Sequence, residues 1–94
     1  MSLPIAEYGR AVNRTTTGDV VLGNNCILLG FMVNNTNVGT LQLRQGGSGG
    51  TILGAATSPP VGYGRFPAAC KGGLHATIGG TALDVTFFVV DGQL

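Results

Sequence analysis

Charge is the scarcest property of this 94-residue chain. Five Lys or Arg and four Asp or Glu leave a net +1, and charged residues total 10%, against about 25% in an average protein. Arg10, Arg14, Arg44, Arg65 and Lys71 are too few and too dispersed for the clustered basic face that nucleic acid requires, so no nucleic-acid partner is expected. Tryptophan is absent and aromatics reach only 6%. The longest apolar run, Cys26–Val33, includes Gly30 and falls well short of the roughly 18 residues that a membrane helix needs. Residues 1–10 carry Glu7 and Arg10 where a signal peptide would be apolar, so neither a membrane partner nor a secretion signal is expected. Disorder is not expected either, because apolar runs recur throughout.

Catalytic chemistry is equally short of material. His75 is the only histidine, and Glu7, Asp19, Asp84 and Asp91 are the only carboxylates. One imidazole cannot complete a usual zinc site, and nothing pairs two carboxylates across a cleft as glycoside hydrolysis demands. A nucleophilic pair of Cys70 with His75 would have to be made by folding across a turn. The plainer reading puts His75 on the solvent face of a strand. Gly46–Gly50 lacks the Lys-Ser/Thr ending of a phosphate loop. No catalytic residue, metal or cofactor is therefore expected. Cys26 and Cys70 are not in CxxC spacing; they read either as a disulfide closing a large loop or as two buried free thiols.

What the chain does have is glycine, 17 residues of it, punctuating short β-like runs. Cys26–Val33 reads as a buried strand, and Thr40–Gln45 alternates polar and apolar like a half-buried one. With the Asn-rich turn between them, these two read as a β-hairpin. Gly46–Gly50 reads as a turn, Thr51–Gly54 as a short strand, and Ser58–Gly64 as a loop because two prolines remove donors. Arg65–Cys70 fits an edge strand, where Pro67 is tolerated. Leu74–Ile78 alternates cleanly. Thr81–Val90 is the strongest strand, with Leu83, Val85, Phe87 and Val89 on one face and Asp84, Thr86, Phe88 and Val90 on the other. Residues 1–18 read as an extended N-terminal arm or weak first strand, and residues 19–94 as a single domain. The fold class expected is all-β: a small antiparallel β-sandwich, jelly-roll-like.

Nine charged side chains cannot cover the roughly 5,000 Å² surface of a protein this size. Much of that surface is expected to be buried against other chains, with Phe88 and Val90 packing between subunits.

The order of turns and strands from Val33 to Val90, about two-thirds of the chain, resembles small virion proteins of tailed bacteriophages. The pieces that carry it are GTLQLR (Gly39–Arg44), RFPAAC (Arg65–Cys70) and GLHATIGGTALDVTFFVV (Gly73–Val90). The resemblance implies a capsid decoration (cement) protein on the virion exterior, made in the host bacterial cytoplasm. It would bind the major capsid protein as a homotrimer and carry no catalytic residue. On that reading the arm lies along a neighbouring subunit, with Tyr8 as anchor and Arg10 and Arg14 meeting acidic groups. The alternative is a head-fibre or tail-associated module that binds carbohydrate, for which Tyr63 in the Pro-Pro-Val-Gly-Tyr segment is the candidate contact and a glycan the partner.

Overall fold

The structure, a computed structural model, describes residues 9–35, 39–57, 59–79 and 83–92. Eight strands follow one another: β1 (Arg10–Arg14), β2 (Gly18–Leu22), β3 (Cys26–Asn35), β4 (Thr40–Gln45), β5 (Thr51–Thr57), β6 (Gly62–Cys70), β7 (Gly73–Gly79) and β8 (Asp84–Asp91). They form two four-stranded antiparallel sheets, ordered β1-β8-β3-β6 (the first sheet) and β2-β7-β4-β5 (the second). First pairs with last, second with seventh, third with sixth and fourth with fifth. A long hairpin folded over on itself in this way is a jelly roll, the architecture expected from the alternating strands.

The core follows from the period of two. Val85, Phe87 and Val89 of β8 are fully buried between the sheets, as are Leu28 of β3 and Leu74 and Ala76 of β7; Leu41 and Leu43 of β4 are nearly so. Burying each large side chain contributes about 1.5–3 kcal/mol. In β3 an extra residue shifts the register on β8 between Leu28 and Gly30. The bulge changes which parity faces inward: Cys26 and Leu28 before it, Phe31 and Val33 after it. Phe31 can then stack between Phe66 of β6 and Phe87 of β8, with ring centroids 6.2 and 6.1 Å apart.

Two expectations are corrected, and a third is decided between its alternatives. β3 and β4 are not a hairpin: β3 pairs with β6 and β8, and β4 with β5 and β7. Both carry strongly apolar inward faces, which bury more surface stacked in opposite sheets than lying side by side. Of the two readings of residues 1–18, arm or weak first strand, residues 10–14 take the second: they form edge strand β1 paired with β8, because Val12 supplies an apolar residue to the core. Tyr8 and the rest of residues 1–8 lie outside the described residues. Finally, β5 runs on to Thr57 and β6 begins at Gly62, so Tyr63 sits in a strand rather than a loop.

Candidate functional site

The polar side chains gather in three places. On the outer face of the second sheet, His75 of β7 lies in register with Asp19 of β2 on one side and Arg44 of β4 on the other. Its Nδ1 is 3.0 Å from Asp19 Oδ1. Only 6% of His75 is exposed, which corrects the expectation of a solvent-facing histidine: on a central strand, Asp19 flanks it on one side and the long Arg44 side chain on the other. Arg44 donates to Gln42 Oε1 at 2.8 Å and to the Gly50 carbonyl at 3.0 Å. An imidazole oriented by a carboxylate resembles half of a hydrolytic triad. Here it lies on the face of a sheet, and it lines neither of the two hollows described below.

The second place is the outer face of the first sheet. Asn13 of β1 and Asn34 of β3 both donate to Asp84 Oδ1 from flanking strands, at 2.5 and 3.2 Å. The same two amides reach Thr86 Oγ1 at 3.2 and 2.9 Å. These amides hold the Asp84 carboxyl below the usual carboxylate range. On the same face Tyr63 leans on Phe88, with ring centroids 5.9 Å apart. Gly30 makes this possible: a Cβ there would lie 2.5 Å from the Tyr63 hydroxyl and from the Gly64 carbonyl oxygen. Tyr63 is 55% exposed and Phe88 partly so, whereas Val90 is already buried within one chain at 7%. Of the two residues expected to pack between subunits, Phe88 therefore has the surface to offer.

The third is edge strand β1, which carries at its two opposite ends the arginines expected to grip a partner. Arg10 forms a two-pronged bond with Asp91 at the far end of β8, at 2.6 and 3.1 Å, and its guanidinium holds that carboxyl below the usual range. Both side chains are 48% exposed, so the pair contributes under about 1 kcal/mol. Arg14 donates to the carbonyls of Thr16 and Thr17 and braces the turn into β2. Each arginine thus has a partner within its own chain.

The most distinctive surface is apolar. Between the free edges of β5 and β6 the sheets splay apart around a cavity of about 230 Å³, floored by Leu41, Leu43, Phe31 and Phe66. A second hollow of about 340 Å³ adjoins it and is walled by Pro59, Pro60, Val61 and Tyr63. The opening has a local cause: Gly54 and Ala56 of β5 stand opposite Leu43 and Leu41 with almost no bulk, and Leu53 is the one larger β5 side chain that packs against the core. Phe66 lies over Gly54 so closely that a Cβ there would fall 2.9 Å from the ring. Among the described residues, no ionisable side chain other than Tyr63 lines either hollow. Two exposed large hydrophobics, Val61 (62%) and Tyr63 (55%), line the groove, whereas exposed Ile52 (48%) stands opposite Arg44 near the start of β5. The sequence reading missed Val61 and the groove. The available signal was the run of small residues Gly54-Ala-Ala56 on a strand that still had to cover a core.

Among the described residues, no group of three or more His, Cys, Asp or Glu could hold a metal ion, and no helix is long and apolar enough to cross a membrane. No protein-family model, curated protein or solved structure matches the chain.

Proposed function

We propose that this protein is a structural virion component of a tailed phage, a decoration protein that binds between capsid subunits on the outside of the shell, as a trimer. The observation that carries the reading is the groove between β5 and β6. It is apolar, open, almost without ionisable groups and lined by exposed Val61 and Tyr63. Such a surface suits another protein better than a reacting small molecule, whose site needs convergent polar groups. The low surface charge supports the same view, and the resemblance of Val33–Val90 to phage virion proteins supplies the partner.

Such a protein acts through binding energy alone. Each copy bridges neighbouring capsid subunits where internal pressure parts them, and many modest contacts add up to a shell that bursts at higher temperature. The test is co-sedimentation with shells of the major capsid protein, together with light scattering of the free protein. Val61→Lys should weaken shell binding by at least about tenfold, as loss of a central contact does. Stability should stay within about 0.5 kcal/mol of the parent, because the side chain is exposed. Undiminished binding by this variant removes the groove from the reading.

A second reading, a carbohydrate-binding module of a fibre or tail, is favoured by the Tyr63–Phe88 pair beside Asp84, Asn13 and Asn34. Aromatic faces pack on sugar C–H groups while a carboxylate and amides bond hydroxyls. A glycan-dependent rise in melting temperature, lost in Tyr63→Ala but kept in Val61→Lys, would select it.

A further inference from the structure

The two cysteines take part in none of the surfaces above. Cys26 opens β3 and Cys70 closes β6, and the register sets them directly opposite one another. Both are fully buried. Directly opposed residues of an antiparallel pair have Cα atoms about 4.5–5.5 Å apart, inside the roughly 4.4–6.8 Å that a disulfide spans. The next inward pair along the same strands, Leu28 and Ala68, is also in register, so both thiols point into the sandwich. Cys70 Sγ donates to the Ala68 carbonyl at 3.6 Å. Burial, with the Cys70 thiol alongside, pushes Cys26 up to about 12, and burial pushes Cys70 up as well.

We propose that Cys26 and Cys70 are an oxidation site, forming a cross-strand disulfide that is set while the chain folds and is sealed once the sandwich closes. The oxidant is a low-molecular-weight disulfide of the glutathione class. One cysteine thiolate attacks a sulfur of that disulfide, breaking its S–S bond, expelling one small thiolate and leaving a mixed disulfide on the protein. The second cysteine thiolate attacks the protein-side sulfur, forms the Sγ–Sγ bond and expels the second small thiolate. The protein loses two electrons, the small disulfide gains them, and the two protons from the cysteines end on the released thiols. Inside the closed sandwich neither step is open, because no reagent reaches a fully buried sulfur and thiolate is scarce. The chain therefore records the redox state in which it folded. The bond ties edge strand β6 to central strand β3 and encloses β4, β5 and the apolar groove within one covalent ring.

The test begins with the reduced, denatured full-length chain, refolded in a glutathione redox buffer and read by intact mass and by thiol titration under denaturing conditions. The expected product is a single chain lighter by two hydrogen atoms, with no free thiol and no glutathione adduct. Its melting temperature should exceed that of the dithiol form by on the order of 10 °C, from the size of the loop closed. Reduced protein already folded and placed in the same buffer should oxidise at least about tenfold more slowly. A Cys26→Ala/Cys70→Ala variant refolded both ways should show one melting temperature. Two free thiols after refolding, a stable glutathione adduct or a disulfide between chains overturns the site. Equal oxidation rates for folded and unfolded protein overturn the sealing.

Discussion

The two long sides of the sandwich are closed by different means, and one of them is hardly closed at all. Where β1 meets β2, the two sheets are joined through a three-residue turn, residues 15–17, which is itself fastened down. Thr17 Oγ1 accepts from the Ile78 amide at 2.9 Å and donates to the Ile78 carbonyl at 3.1 Å, while Arg14 braces the carbonyls beside it. β2 turns Val20 and Val21 into the core at 5% and 4% exposure. On the opposite side β5 contains no fully buried residue, and Cys70 is the one fully buried residue of β6. The lesson is one of bulk: an edge with valines facing inward seals itself, and an edge with Gly54 and Ala56 there leaves room for something else.

The contrast is tested most severely by two phenylalanines of the same ring stack. Phe87→Ala, at the sealed centre, should cost about 3–5 kcal/mol in urea unfolding, and Phe66→Ala, at the open edge, less than half as much. Equal costs would mean that the two sides are packed alike. Next in size comes Thr17→Val, which strips both hydrogen bonds from the Ile78 backbone and should cost about 1–3 kcal/mol. Amide exchange at Ile78 should quicken with it, and an unchanged rate would show that the turn does not hold the sheets together.

Smaller still is Ala56→Leu, which pushes bulk into the groove. It should raise stability by up to about 1 kcal/mol, abolish binding of a hydrophobic dye and weaken shell binding. Unaltered dye fluorescence would place the dye elsewhere. The smallest effect belongs to Asp84. Its folded-state pKa lies below the unfolded value of about 3.9. The resulting contribution is present above that value and is lost as pH falls through the folded one. Asn13→Ala should move the Asp84 titration, followed by NMR, to higher pH, and an unmoved titration would remove the amide as the cause.

Much of this architecture is legible along the chain, for definite reasons. Alternation assigns Val85, Phe87 and Val89 to one face without any knowledge of partners, and Pro67 demands an edge, which β6 is. Alternation cannot say which sheet a strand joins, so β3 and β4 read as neighbours when they lie in opposite layers. It also cannot say what flanks a residue on the outer face, which is why His75 reads as exposed although Asp19 and Arg44 enclose it. The partner of Arg10 is 81 residues away in sequence. The groove belongs to no single segment: it arises from small residues on β5 facing Phe31 and Phe66 on strands of the other sheet.

The nested pairing also sets a timetable. β4 and β5 are separated by five residues, Gly46–Gly50, and can close almost as soon as both exist, whereas β1 and β8 come from opposite ends of the chain. Each inner pair, once made, shortens the effective loop that the next pair must close, and so lowers the entropic cost of closing it. Assembly then runs outward from the middle like a fastener, and a topology so rich in distant pairings folds slowly. On a ribosome this chain waits for its last strand before its first has a place to lie.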